Sequence, residues 1–149
     1  PLIFFDRVPT GAADDQMAIV LDDARGAIAA IDTALARGFD RIAHLAGSSA
    51  VNIGVERRRG FDEALRRHGI VIEPEWVIEG GFDEIDGYRG FERLWRSGAR
   101  PNAIHCVSFP VALGVVDAMR AIAPEALGRV LIIFFGPRDA ARFVPAPYV

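Results

Sequence analysis

One segment combines residue types and spacing that suit the binding of a small polar molecule. It spans residues 41–65, with the sequence RIAHLAGSSAVNIGVERRRGFDEAL. A short apolar run leads through a loop of small residues, with Ser48 and Ser49, into a helical pattern that carries three arginines at 57–59. A strand, a Gly/Ser loop and a helix in this order place free backbone N–H groups and a cation at the carboxyl edge of a sheet. Open α/β folds bind ligands at that edge, so the segment predicts a binding site.

Of the three arginines, Arg57 is the best placed to contact a ligand. Consecutive helical residues point in different directions, so at most one or two of the three can face the loop. Arg57 lies three residues before Gly60, in the first half of the helix, where it can meet a ligand held at the strand ends. Its guanidinium can grip a carboxylate or paired hydroxyls through two hydrogen bonds. We expect most of the charge on Arg58 and Arg59 to be solvated.

The chain lacks the patterns that typify catalytic, metal and nucleotide sites. Ser48 and Ser49 follow a strand without forming a G-x-S-x-G elbow, and no third group is placed to orient His44 or His105. The histidines share no metal-ligand spacing, and those two fall within apolar strands, where a structural imidazole is expected. The loop GSSAVNIG matches neither dinucleotide nor P-loop fingerprints, although the fold class alone is compatible with a flavin. We predict no catalytic residue, no metal site and no cofactor.

Strand and helix patterns alternate along the whole chain. Strands are predicted at 2–6, 17–21, 42–46, 71–79, 103–107 and 130–135, and helices at 23–37, 52–68, 86–96 and 110–122. Apolar runs this continuous are typical of central parallel strands covered on both faces. The alternation predicts an α/β fold with a doubly wound, mostly parallel sheet and helices on both faces. The turn-rich stretch 8–16 is the best hinge candidate.

Length, charge and cysteine content narrow the class further. A chain of 149 residues can bury roughly 70% of its unfolded surface, enough for a core of its own. The formal net charge of -3 gives no general attraction for nucleic acid. The single cysteine, Cys106, excludes an internal disulfide and is expected in the core. We find no leader and no apolar run near the length of about 18 residues that predicts a membrane span, and the abrupt start suggests part of a longer protein.

Six segments in order carry a family resemblance that covers nearly the whole chain. They are PLIFFDR, VLDDARGAIAAIDTALARGFDRIAHLAG, RRRGFDEAL, IEGGFDEIDGYRGFERL, AIHCVSFPVALGVVDAMR and VLIIFFGPRDAARFVPAPYV. In sequence and spacing they resemble the effector-binding core of LacI-type bacterial transcription regulators. Such proteins are similar to periplasmic sugar-binding proteins, with two α/β lobes that close on a small ligand. A separate N-terminal helix-turn-helix reads operator DNA as a dimer.

The resemblance implies a division of this chain between the two lobes. Residues 1–16 would be the end of the N-terminal lobe and the crossover hinge. Residues 17–149 would be the C-terminal lobe of the effector-binding domain. The helix-turn-helix, most of the N-terminal lobe and the final return segment would then lie outside this sequence.

The resemblance also assigns ligand-binding positions one at a time. Arg57 matches the ligand-binding arginine of the family, and Phe82 matches an aromatic residue that often stacks on the ligand ring. Ser108 stands where the family usually has Asn or another small polar residue. Phe109 replaces the Asp that normally follows, and Gly136, with the proline after it, replaces an acidic or amide pair at the end of the last strand.

These replacements carry two expected consequences. An Asp in place of Phe109 would also cap the next helix, so its absence should cost about 0.5 to 2 kcal/mol, softened by Pro110. Without these carboxylates, Arg57 lacks the acidic neighbours that are usual in the family. The site also loses acceptors for sugar hydroxyls, which makes a typical monosaccharide a poor candidate ligand. Four aromatic side chains could make the site more apolar, or could instead belong to the core or a subunit contact: Phe82, Phe109, Phe134 and Phe135.

A dimer interface is also implied by the resemblance. In this family it is built by the helix after the small polar position and by the segment after the last strand. One face of that helix must instead cover the sheet. We predict a homodimer whose interface includes Val111, Leu113, Val115, Phe143 and Val144.

The favoured function is an effector-sensing domain of a cytoplasmic transcription regulator. A small molecule bound between the lobes would bias their closure and so control operator binding by a helix-turn-helix that is absent from this chain. The alternative is a periplasmic solute-binding protein of a transport system, which a signal peptide upstream would favour. A small α/β enzyme is a third hypothesis, for which the sequence supplies no nucleophile and no metal cluster.

Overall fold

A computed structural model of the chain describes residues 2–13 and 16–149. Strands and helices alternate as β1 (Ile3–Phe5), β2 (Met17–Ile19), α1 (Asp23–Ala36), β3 (Ile42–Ala46), α2 (Asn52–Arg67), β4 (Val77–Glu79), α3 (Glu84–Arg96), β5 (Ala103–Cys106), α4 (Phe109–Ile122) and β6 (Leu131–Phe134). Short 3-10 turns occur at Pro74–Trp76, Pro124–Ala126 and Arg138–Phe143. Asp14 and Asp15, within the predicted hinge, lie outside the described residues.

The strands form two parallel sheets. The main sheet has the order β4-β3-β5-β6, and a separate two-stranded sheet pairs β1 with β2. In the main sheet His44 lies opposite His105, and Leu45 lies opposite Cys106. Helices cover both faces of this sheet, so the predicted fold class is confirmed.

The alternation of side chains along each strand decides which helices cover which face. One face packs against α1 and α2, with His44 stacked on Phe61 of α2. The other packs against α3 and α4, where Leu45 and Cys106 join Phe91 and Leu94 in one apolar cluster. We call these the α1–α2 face and the α3–α4 face.

Two glycines allow the paired helices to approach closely. A Cβ atom on Gly60 of α2 would lie 2.3 Å from the carbonyl oxygen of Ala24 in α1. A Cβ atom on Gly114 of α4 would lie 1.8 Å from the carbonyl oxygen of Glu84 in α3. Neither site has room for a side chain. The contact at Gly60 brings the preceding turn of α2, which carries Arg57, against α1.

Three local predictions are wrong. Helix α3 begins at Glu84, two residues before the start predicted at 86. The strand expected at 71–79 is reduced to Val77–Glu79, because Pro74 begins a 3-10 turn that ends at Trp76. Helix α4 begins one residue earlier than predicted, at Phe109, so the residue that caps it is Ser108. The hydroxyl oxygen of Ser108 accepts a hydrogen bond from the Val111 N–H at 3.4 Å. The loss of a helix cap that was expected at Phe109 therefore does not occur.

The segment after β1 is fastened to the start of α2. Pro9 and Val51 form an antiparallel bridge. The Asn52 N–H donates to the Val8 carbonyl at 2.9 Å, and the Val8 N–H donates to Asn52 Oδ1 at 2.8 Å. Asn52 Nδ2 donates to the carbonyl of Asp6, which has a left-handed φ of 66°. The crossover therefore lies against the loop that enters the predicted ligand-binding helix.

Candidate functional site

Arg57 lies at the carboxyl end of the main sheet and is almost fully buried. Helix α2 brings it to the residue after β5, Val107, whose carbonyl accepts a hydrogen bond from Nη1. The ring of Phe135, the residue after β6, lies over the guanidinium with 3.8 Å between Cζ and the ring centroid. Only 7% of Arg57 is exposed. The residue is thus at the strand ends, where its sequence position predicts it.

The sequence pattern does not predict the carboxylate that pairs with Arg57. Arg57 Nε donates to Asp23 Oδ1 at 2.7 Å, and Nη2 lies 2.6 Å from the same oxygen. Asp23 is 2% exposed, in the first turn of α1. The carboxylates that the family usually has at Phe109 and Gly136 are absent, as expected, and Asp23 on α1 supplies Arg57 with an acidic partner instead.

The doublet of Asp22 and Asp23 is the signal that could have found this pair. Either residue could cap α1, and the sequence leaves that choice open. In the structure Asp22 is the cap, accepting a hydrogen bond from the Arg25 N–H at 3.1 Å. Since a helix uses one N-cap, the second carboxylate of the doublet is left available to pair with a cation.

The charges around Arg57 balance. Burial lowers the pKa of Arg57 below its ordinary value, and the hydrogen bond and charge of Asp23 oppose that shift. Asp6 also raises the pKa of Arg57, and Arg7 lowers it. The two arginines and two aspartates sum to a formal charge of zero. Asp23 Oδ2 is buried and has no hydrogen-bond partner among the described residues.

A buried pair of histidines lies in the sheet on the same face. The rings of His44 and His105 stack with 4.5 Å between centroids. His44 Nδ1 lies 2.9 Å from the carbonyl oxygen of His105, whereas both ring nitrogens of His105 lack a partner within the described residues. Burial lowers the pKa of His44 to about 4 and that of His105 well below its ordinary value. Both imidazoles are therefore neutral near pH 7.

Four of the predicted ligand-binding residues form two contacts at this end of the sheet. Ser108 Oγ donates to the carbonyl of Phe82 at 3.0 Å, so these two are adjacent. A Cβ atom on Gly136 would lie 2.9 Å from Cβ of Phe109, so that pair is adjacent as well. The guanidinium of Arg7 lies over the Phe82 ring, 4.8 Å from its centroid. The half-buried rings of Phe82 and Phe109 give this end of the sheet an apolar character.

Ser48 and Ser49 hold the loop instead of pointing to a catalytic partner. Ser48 Oγ accepts a hydrogen bond from the Ala50 N–H at 3.2 Å. The carbonyl of Ser49 accepts one from the Thr10 hydroxyl at 2.7 Å, which adds a further tie between the loop and the crossover. In residues 2–13 and 16–149 no group of three or more His, Cys, Asp or Glu side chains is placed to hold a metal ion.

The predicted dimer residues divide between the core and the surface. Val111, Val115 and Val144 are buried in the apolar cluster of the α3–α4 face. Their assignment to an interface is wrong, because these side chains are already covered by their own chain. Leu113 is half-buried and Phe143 is 55% exposed, so these two keep a surface that a second subunit could contact.

The two arginines that follow Arg57 directly on α2 are surface charges, as expected. Arg58 pairs with Asp62 at 2.7 Å, and Arg59 pairs with Glu56 at 2.6 Å. The first of these pairs borders a groove of about 750 Å³ between α2 and the edge strand β4, and no predicted site residue lines it. Within the described part of the chain, no helix is both long and apolar enough to cross a membrane.

Comparison with known proteins places this geometry in a family. The periplasmic binding protein-like domain matches residues 31–143, well over half of the chain. The HTH-type transcriptional repressor PurR of Erwinia tasmaniensis is 33% identical over 131 residues, which are 85% of this chain and 38% of the repressor. The repressor of that name from Actinobacillus pleuropneumoniae is 28% identical over 148 residues, 99% of this chain and 43% of its own length. The chain spans about two fifths of these relatives.

Solved structures agree with the sequence relatives. The transcriptional regulator CelR in complex with cellobiose has a TM-score of 0.86 at 25% identity, over 99% of this chain and 45% of that one. A sugar-binding LacI-family regulator from Escherichia coli, complexed with phosphate, has a TM-score of 0.79 at 25% identity, over 96% and 51% of the two chains. This chain therefore belongs to the periplasmic binding protein-like domain family, and the relatives and solved structures named here are transcription regulators.

Proposed function

We propose that this chain senses a small-molecule effector on behalf of a LacI-type transcription regulator. The ligand binds in a cleft between two lobes and controls operator DNA binding by a helix-turn-helix outside this sequence. The observation that carries the proposal is Arg57, held at the carboxyl end of a parallel sheet with two N–H groups that bond to none of the described residues. Open α/β sheets bind ligands at that end.

The relatives favour a regulator over a transport receptor. Those named above are transcriptional repressors and regulators, and one of them was solved with cellobiose bound. A regulator of DNA acts in the cytoplasm and need not turn over its ligand. We therefore assign no enzymatic activity, no metal and no cofactor, and we expect a homodimer that uses Leu113 and Phe143.

The small sheet of β1 and β2 supports a division of the chain into two lobes. Its strands expose large apolar side chains, with Phe5 77% exposed and Ile19 62% exposed. Such a surface is suited to be covered by the rest of an N-terminal lobe. Because β2 pairs with β1, we assign both strands to that lobe and the chain from α1 onward to the C-terminal lobe, which moves the boundary expected at residue 17 past β2. Bonds from the crossover to Asn52 would then link lobe closure to α2.

The proposal is tested with the intact protein and its own upstream DNA. We expect a small uncharged compound, found by screening for thermal stabilisation, to change the affinity for that DNA at least several-fold. Arg57→Lys keeps a positive charge beside Asp23 but loses the planar fork, so it should weaken both responses. Arg59→Lys, on the exposed surface, is the matched control and should leave both intact. A compound that stabilises the protein without affecting DNA binding would refute the regulatory function.

A further inference from the structure

We propose that Asp23 sets the charge of the ligand, making the cleft selective for an uncharged, mostly apolar molecule with an oxygen acceptor. The proposal rests on the proposed function, because it takes Arg57 as a ligand contact. It adds Asp23 to the residues that determine ligand specificity, although Asp23 lies on α1 and not at the end of a strand.

Most of the hydrogen-bond donors of Arg57 are already used within the protein. A guanidinium has five N–H groups. Nε–H and one N–H of Nη2 face Asp23 Oδ1, and one N–H of Nη1 donates to the Val107 carbonyl. Phe135 lies over the guanidinium. A ligand can therefore reach only the two remaining N–H groups, which one carbonyl or hydroxyl oxygen can occupy.

The positive charge of Arg57 is likewise already neutralised. Asp23 neutralises it at contact distance, and Asp6 and Arg7 offset one another nearby. An anion entering this cleft would give up its hydration and meet no net positive charge, which is unfavourable in a buried setting. An uncharged oxygen needs only the N–H groups, and its desolvation costs much less.

The surroundings of the cleft point to a mostly apolar ligand. Phe82 and Phe109 are half-buried and pack against the α3–α4 cluster, and Arg7 lies over the Phe82 ring. Neither Phe109 nor Gly136 provides the carboxylate that would accept hydrogen bonds from sugar hydroxyls. Asp23 Oδ2, buried and without a partner among the described residues, remains as an acceptor for one polar N–H or O–H group at the site.

The test changes the charge of the site without changing its shape. Asp23→Asn is isosteric and removes the negative charge that neutralises Arg57. Asp22→Asn alters the net charge equally, keeps a capping side chain and touches no part of Arg57, so it is the matched control. The intact wild-type protein and both variants are unfolded by heat in increasing inorganic phosphate, against sodium chloride at equal ionic strength, which removes the general effect of salt.

We expect phosphate to raise the unfolding midpoint of Asp23→Asn in a saturable way, with a Kd at least about tenfold lower than for wild type or Asp22→Asn. If Asp23→Asn is unfolded in chloride, phosphate should restore its folded circular dichroism spectrum. Equal phosphate binding by wild type and Asp23→Asn would overturn the proposal. So would a folded Asp23→Asn with no gain, or an unfolded one that phosphate does not restore.

This readout uses neither operator DNA nor the effector. Its failure would leave the regulatory function standing with another source of ligand selectivity. Conversely, a protein that failed to regulate DNA binding could still show the gain in phosphate affinity. The two proposals can therefore fail separately.

Discussion

The two faces of the main sheet solve the same packing problem with different chemistry. The α3–α4 face is an apolar cluster that includes Phe91 and Leu94. The α1–α2 face also has an apolar base, but the four buried polar or charged residues of the described chain are gathered on that side or at its carboxyl end. They are Asp23, His44, Arg57 and His105.

This difference shows that the α1–α2 face contains buried polar groups that stability alone does not require. Burying apolar area stabilises in proportion to the area and needs no particular partner. A buried charge or imidazole is costly unless it is paired, so each one on the α1–α2 face depends on a specific neighbour. Rules of packing are usually broken at functional sites, and here the exceptions lie beside the carboxyl ends of β5 and β6.

The largest effect should come from breaking the ion pair on the α1–α2 face. Arg57→Met leaves the Asp23 carboxylate buried and unpaired, and should lower the free energy of unfolding by about 3–5 kcal/mol. Adding Asp23→Leu should recover much of that loss, since an apolar pair carries no desolvation cost. Urea unfolding of the single and double variants measures the coupling. Additive losses would show that the two side chains do not depend on each other.

On the α3–α4 face, Leu94→Ala removes apolar volume only. The side chain is fully buried, so the cavity should cost about 2–5 kcal/mol. Because no titratable partner is involved, the loss should be the same at neutral and mildly acidic pH. A loss of stability that grows as the pH falls would contradict the prediction that only the α1–α2 face responds to pH.

Lowering the pH should destabilise the α1–α2 face, which contains the two buried histidines, and leave the α3–α4 face unaffected. The pKa of His44 is about 4 in the folded chain, below the ordinary 6.5 of a free imidazole. The unfolded chain therefore takes up protons first, and stability is complete above about pH 6.5 and falls as the pH approaches 4. Near pH 5.5 we expect a loss of about 1.4 kcal/mol for each buried histidine. Urea midpoints across this range measure it.

A substitution identifies the source of that acid sensitivity. His105→Leu removes two ring nitrogens that have no partner in the described residues. It should change stability at neutral pH by about 1 kcal/mol or less and roughly halve the loss at acidic pH. An unchanged pH profile would mean that other groups cause the acid response.

The smallest effect is expected at a surface ion pair of the α3–α4 face. Arg96 and Glu92 lie one turn apart on α3, 2.8 Å from each other, and Arg96 is largely exposed. Arg96→Gln should cost about 0.3–0.5 kcal/mol, and less in high salt. A loss as large as that of Arg57→Met would contradict the distinction between buried and solvated pairs.

The order of elements and the position of Arg57 could be read from the sequence because both are local. Apolar runs mark the strands, and the spacing between the Gly/Ser loop and Arg57 places that residue near the strand ends. The burial of Val111 and Val115 could not be read, because α4 is apolar on more than one face and the pattern alone does not say which face is covered.

The Asp23–Arg57 pair escaped prediction for a different reason. Its partners are 34 residues apart, and they meet because Gly60 lets α2 approach the backbone of α1 at Ala24. That approach is a property of two packed helices and leaves no periodic signal in either one. The resemblance to a family also directed attention to Phe109 and Gly136, where the usual acidic residues are missing.

Proton exchange at the Nε–H of Arg57 tests the central claim most directly, that Asp23 already satisfies this guanidinium before any ligand binds. In the nitrogen-proton NMR spectrum of the ligand-free intact protein, a buried and hydrogen-bonded Nε–H should give a sharp, slowly exchanging signal. Asp23→Asn should make its exchange faster, and Asp22→Asn should not. An Arg57 signal that exchanges as fast as that of exposed Arg59 in the wild-type protein would contradict the account.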